Sequence, residues 1–284
     1  MSEPTSHVLT LECHDQSGIV AGIANGIADL GGNILSNAQF SEPSIGRFCM
    51  RTRFETAITD PADIAEQLGD TAQRFEAHLE VHRADHRTRM AILVSKADHC
   101  LRDLLYRWHA GELAVDVKMV ISNHWDLQPV AANYGVPFVH IPVTGDGKDH
   151  AEGRLQDLLD EHDIELVVLA RYMQILSNDL CRRLAGRAIN IHHSFLPGFK
   201  GARPYHQAWQ RGVKLIGATA HYVTADLDEG PIIDQDVARV SHAQTPKDLV
   251  IIGRDVERLV LSRAVKAHSE HRVFRFADRT IVFG

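Results

Sequence analysis

Asn190 and His192 stand two residues apart at the end of an apolar run, Ala188-Ile189-Asn190-Ile191-His192-His193-Ser194-Phe195-Leu196-Pro197. Side chains alternate across a strand, so Asn190 and His192 project together while Ile189 and Ile191 turn into packing. An amide that donates to a developing oxyanion, beside an imidazole that exchanges protons with the same centre, suits acyl transfer and amide hydrolysis. A carboxylate orienting the imidazole would complete the set. The loop Asp226-Leu227-Asp228-Glu229-Gly230-Pro231, after another apolar run, supplies three acids, and spacing does not choose among them. Taken alone, these residues also fit a capping Asn, a core His and a solvated turn.

The elements that would position them form an alternating series. Residues 90–94, 115–121, 138–141, 166–170 and 189–191 are strand-like apolar runs separated by helical segments. This is the pattern of a Rossmann-like α/β fold with a mostly parallel sheet, whose binding sites lie at strand ends. Residues 215–223 and 232–240 add two strands joined by the acidic loop. Thr245-Pro246 then opens a long helix with Leu249, Ile252, Val256 and Val260 toward the core.

The first third of the chain has another rhythm. Residues 7–12 read as a strand, Asp15-Gln16-Ser17-Gly18 breaks it, and the spacing Ile19, Ile23, Ile27, Leu30 marks a helix ended by Gly31-Gly32. Residues 34–40 and 47–54 form a hairpin around Ser41-Glu42-Pro43-Ser44, a helix starts at Asp60-Pro61, and residues 78–82 give a last strand. The order β-α-β-β-α-β predicts a ferredoxin-like sandwich with both helices on one face of an antiparallel sheet. The other face needs a cover, often a second copy. The polar stretch 82–89 places the boundary, giving domains 1–84 and 85–284.

Composition narrows the function classes. The 284 residues, 44% apolar, suffice for two cores. A net charge of -7 with scattered Lys and Arg offers no footprint for nucleic acid. No apolar run approaches the roughly 20 residues of a membrane span, and the polar start, Met1 to His7, lacks a secretory signal core. A cytoplasmic protein with no membrane partner is expected. Cys13, Cys49, Cys100 and Cys181 show no C-x-x-C spacing, so they are expected to be reduced structural thiols. The 18 histidines include no H-E-x-x-H pattern. No metal site is expected, and most of the histidines should lie at the surface.

The segment around Asn190 resembles the N-I-H-x-S-L-L-P signature of folate-dependent formyltransferases, and Leu227-Asp228-Glu229-Gly230-Pro231 resembles their L-D-x-G-P loop. The resemblance implies Asn190, His192 and Asp228 as catalytic residues, with Asp226 a loop neighbour. Leu169-Ala170-Arg171-Tyr172-Met173-Gln174-Ile175-Leu176 resembles the pterin-pocket segment. Substrate contacts are thereby implied at Met173, Gln174, Leu176, Val223, Ala225 and Asp226.

In the purine-pathway transferase of that family, a glycine-rich loop for the acceptor's phosphate follows the domain's first strand. Here the position reads Ser95-Lys96-Ala97-Asp98-His99-Cys100, without glycine and with an acid that would repel phosphate. His193 replaces the signature proline. With Gly201-Ala202-Arg203-Pro204-Tyr205-His206-Gln207-Ala208, the run resembles the formyltetrahydrofolate deformylases, from about His7 to Gly284.

Those enzymes carry an N-terminal ACT domain, which Asp15-Gln16-Ser17-Gly18-Ile19-Val20 and Gly31-Gly32-Asn33-Ile34 resemble. The resemblance implies hydrolysis of 10-formyltetrahydrofolate to formate and tetrahydrofolate, without a cofactor, balancing the one-carbon pool and supplying formate for purine synthesis. It also implies an amino-acid effector at Asp15, Gly18, Gly32 and Asn33, by analogy glycine or methionine, although the glycines also read as helix punctuation. A homo-oligomer, dimer or tetramer, is expected. The alternatives are a formyltransferase acting on an amine and an amino-acid-sensing protein that only binds folate.

Overall fold

The computed structural model describes residues 4–196 and 204–284. Pro197 and Gly201-Ala202-Arg203 of the sequence signature lie outside the described residues. The chain divides into two compact units: residues 1–86 with Glu270–Phe276 and Ile281–Gly284, and residues 87–269 with Ala277–Thr280.

The first unit contains β1 (Thr5–His14), α1 (Ile19–Asp29), β2 (Asn33–Glu42), β3 (Arg47–Thr56), α2 (Pro61–Gln67), α3 (Gly69–Arg74) and β4 (His78–Arg83). Its sheet runs β2-β3-β1-β4, antiparallel throughout. Gly18 precedes α1 at φ 92, a left-handed conformation that costs glycine little. Ile19, Ile23 and Ile27 then meet Leu9, Leu11, Met50 and Phe54 of the sheet in one core. Asp60 caps α2 by accepting from the Ala62 amide, with Pro61 in the first turn. The single helix expected here is two short ones, broken at Leu68-Gly69.

The second unit follows as β5 (Thr88–Val94), α4 (His99–His109), β6 (Val115–Ser122), α5 (Gln128–Ala132), β7 (Phe138–His140), a 3-10 turn at Gly145–Gly147, α6 (Lys148–Glu161), β8 (Leu166–Leu169) and α7 (Asn178–Arg183). β9 (Ala188–His192), α8 (Pro204–Gln210), β10 (Leu215–Tyr222), β11 (Ile232–Arg239) and α9 (Pro246–Ser269) complete it. The sheet order is β11-β10-β9-β8-β5-β6-β7, parallel from β9 to β7, with β10 and β11 antiparallel. Met90 to Val94 and Leu166 to Leu169 are buried throughout, as covered parallel strands require. Strand order reverses at β5, which lies between β6 and β8. The crevice beyond the strand ends there is where such sheets bind ligands.

The sequence does not signal what happens after α9. Strands β12 (Val273–Phe276) and β13 (Arg279–Val282) form a two-stranded sheet, and most of this segment belongs to the first unit. Phe274 and Phe276 bury Cys49, which lies on the face of β3 turned away from the helix-side core. Arg51 Nε donates to the Glu270 carbonyl at 3.1 Å, and the His82 and His271 rings stack with centroids 3.7 Å apart. The chain itself therefore covers part of the sheet face for which a second copy was expected. Among the described residues no helix is long and apolar enough to cross a membrane.

Candidate active site

Strand β9 presents Asn190 and His192 on one face, as its alternation predicts, with Ile189 and Ile191 buried. β10 runs antiparallel beside it and sets His221 directly opposite Asn190 and Thr219 opposite His192. A register shift at Ala220/His221 re-aims the end of β10. The Asn190 Nδ2 lies 3.2 Å from His221 Nε2, and His221 Nδ1 lies 2.9 Å from the Tyr222 carbonyl. A carbonyl only accepts, so His221 donates from Nδ1 and its Nε2 accepts from the amide. That assignment fixes which end of Asn190 is the donor. Burial holds the His221 imidazole below its ordinary pKa, in keeping with this neutral form.

The loop between β10 and β11 brings back an acid, and the geometry distinguishes the three candidates. Asp228 Oδ1 lies 3.2 Å from His192 Nδ1 and 3.8 Å from His221 Nε2. Asp226 and Glu229 are exposed. Asp228 takes a left-handed φ of 58, which Asp tolerates better than most residues. Two residues on, a Cβ at Gly230 would sit 1.8 Å from the Tyr222 carbonyl oxygen, so only glycine lets the loop fold this tightly against β10. The hydrogen bond from His192 is the main cause that holds the Asp228 carboxyl below the usual range. With Nδ1 turned to Asp228, His192 Nε2 is buried and has no hydrogen-bond partner among the described residues.

The chain bends immediately after β9, so His193, which strict alternation would turn away, comes beside His192 with ring centroids 5.2 Å apart. Burial, and then the Arg171 charge, push its pKa down to about 4. Thr219 pins the segment that follows: its hydroxyl donates to the Ser194 carbonyl and accepts from the Leu196 amide.

Asn190, His192, His193, His221 and Asp228 line a cavity of about 640 Å³. Met173, Gln174, Leu176, Val223, Ala225 and Asp226 line it too, so the structure gathers every catalytic and substrate residue named from the sequence in one place. Ser95, buried after β5, accepts from the Met173 amide and donates to Asn123, which fixes the segment after β8. Asp15 and Gly18 line a separate, open hollow in the first unit with Gln39, Phe40 and Ser41. Gly32 and Asn33 are absent from that lining.

Sequence reasoning missed His221 and a second polar group in the cavity wall. Glu257 of α9, 1% exposed, accepts from the Tyr205 hydroxyl at 2.6 Å and pairs with His99 Nε2 at 2.8 Å; Arg171 Nε lies 3.5 Å away. Burial works against the Glu257 charge, but the His99 contact and the Arg171 charge outweigh it and keep its pKa low. A Cβ at Gly253 would overlap the Tyr205 ring, so α9 needs glycine there to admit it. His99, Cys100 and Glu257 bring ligand-type atoms within 4.8 Å of one another. Burial raises the Cys100 thiol well above its ordinary pKa, and Glu257 is hydrogen-bonded to His99 and to the Tyr205 hydroxyl.

Fold and site define the class. Residues 88–265 match the sequence profile of the formyl transferase family, and residues 7–72 match that of the ACT domain. The chain is 47% identical over 284 residues to the formyltetrahydrofolate deformylase of Corynebacterium sp. (strain P-1), covering 99% of both chains. The crystal structure of formyltetrahydrofolate deformylase from Burkholderia mallei superposes with a TM-score of 0.95 at 48% identity, covering 99% of this chain and 100% of that one. A glycinamide ribonucleotide transformylase from Symbiobacterium toebii matches at a TM-score of 0.65 and 29% identity, over 70% of this chain and 95% of its own. The chain belongs to the formyltetrahydrofolate deformylase family.

Proposed function

We propose that the protein hydrolyses 10-formyltetrahydrofolate to formate and tetrahydrofolate at the Asn190-His192-Asp228 site. The observation that carries this reading is the convergence of an oriented amide, a carboxylate-paired imidazole and a mainly apolar cavity at one strand end. The pterin lies along the segment from Met173 to Leu176, with Val223, Ala225 and Asp226 also lining the cavity. Water adds to the formyl carbon as His192 Nε2 takes its proton, and the carbonyl electron pair moves to oxygen, where the Asn190 amide and the Nε2–H so formed stabilise the charge. Collapse re-forms the carbonyl and breaks the C–N10 bond. The electron pair goes to N10, which takes one proton of the water, and the other leaves as formic acid ionises. Asp228 holds His192 in the tautomer that turns Nε2 toward the reacting centre and stabilises it when protonated, as in hydrolytic triads. N10 is an aniline-type nitrogen of low basicity, so the departing group needs little acid help.

The same reading assigns the ACT domain an amino-acid effector, held at Asp15, Gly18, Gly32 and Asn33. It also assigns the chain a homo-oligomeric state in the cytoplasm. Incubation with 10-formyltetrahydrofolate and no amine tests the activity: stoichiometric formate and tetrahydrofolate support it. Formyl transfer to an added amine, faster than formate release, would replace it with a transferase.

A further inference from the structure

Arg171 stands immediately beyond β8, at the strand-order reversal, and lines the same cavity as His192 and His193. Its backbone adopts a left-handed φ of 66, which an L side chain occupies only at a cost. Its side chain is 17% exposed, and both Nε and Nη1 are buried with no hydrogen-bond partner among the described residues. The nearest anion does not answer them: Glu257 stands 3.5 Å from Nε, and its two oxygens already serve Tyr205 and His99. Buried donors on a charged group are expensive to leave unmet, and a strained backbone at a cavity wall marks a position held for use.

From this we infer that the Arg171 guanidinium is a carboxylate site that receives the formate cleaved at His192. A guanidinium edge matches the two oxygens of a planar carboxylate. The site is close to where that ion forms, since Arg171 lines the same cavity as His192 and His193, whose rings stand 5.2 Å apart, and its charge acts on His193. The Glu257 carboxylate opposes an added anion, so the site binds weakly. Even a fully efficient three-atom ligand reaches only about 1 mM, which suits a product that must leave.

This inference rests on the hydrolytic reading, and formate release by the wild type tests that reading independently. The site itself is tested by adding sodium formate to the hydrolysis assay and following tetrahydrofolate. Inhibition of the wild type, relieved at least tenfold in Arg171→Gln and less in Arg171→Lys, supports the site. No inhibition of an active wild type, or equal inhibition in Arg171→Gln, overturns it. A second source of carboxylate is the substrate's glutamate tail. If Arg171→Gln raises KM for the glutamyl substrate but not for the analogue lacking glutamate, the site belongs to the tail and the inference fails. Should Arg171→Gln not fold because it leaves Glu257 uncompensated, Arg171→Gln/Glu257→Gln removes both charges and is read in the same way.

Discussion

At the residue scale, the site depends on two oriented pairs, His192 with Asp228 and Asn190 with His221. Asp228→Asn keeps the shape but offers His192 an amide in place of a charge. Formate release should fall by about 10²- to 10⁴-fold, while equilibrium binding of a non-hydrolysable folate changes little; activity within tenfold of wild type would remove Asp228 from the mechanism. His193 gives a pH signature. Its folded pKa of about 4 lies below the ordinary 6.5, so the unfolded chain binds more protons between those values. Stability is therefore lost as pH falls from 6.5 toward 4, at up to about 1.4 kcal/mol per pH unit for each such histidine. Urea midpoints from pH 7.5 to 5 should fall less steeply in His193→Gln, and identical slopes would contradict the assignment. Asn190 and His192 were legible because a two-residue period is local. His221 was not, because its place opposite Asn190 is set by the register of another strand. Choosing Asp228 over its acidic neighbours required either a family motif or the geometry of the loop.

At the element scale, the strands and the long α9 were legible from apolar runs and caps: Thr245 and Asp248 cap α9 reciprocally. The break between α2 and α3 was missed, since a helical period continues across Leu68-Gly69. So was the register shift in β10, since no local composition records the slip of one strand on another. The loop that returns Asp228 is shaped by Gly230 against Tyr222, an approach too close for any side chain. Gly230→Ala should displace the loop, abolishing most of the formate release at a strain cost of roughly 1–3 kcal/mol. Circular dichroism should remain that of the wild type. Full activity in this variant would show that the loop tolerates opening and that Asp228 need not sit where it does.

At the scale of the whole molecule, two folds were legible from two different rhythms of apolar residues, and the crossing of the chain between them was not. The segment after α9 is short and mixed in character, and its partners Cys49, Arg51 and His82 lie about 190 or more positions away, beyond the range of any periodic signal. Phe274→Ala should cost the first unit about 3–5 kcal/mol and open the cover over Cys49. Burial first of all pushes the Cys49 thiol up to about 12, so it is inert in the native chain. A thiol reagent under native conditions should label Cys49 far faster in the variant than in the wild type; equal labelling would mean that the strands contribute little. The returning strands also bear on synthesis. A ribosome releases residues 1–86 well before residues 270–284 exist, so the first unit waits, with one sheet face incomplete, until the whole second unit has been translated. In ordinary vectorial folding the N-terminal domain closes first; here the first unit is finished only once the helices and main sheet of the second have been made.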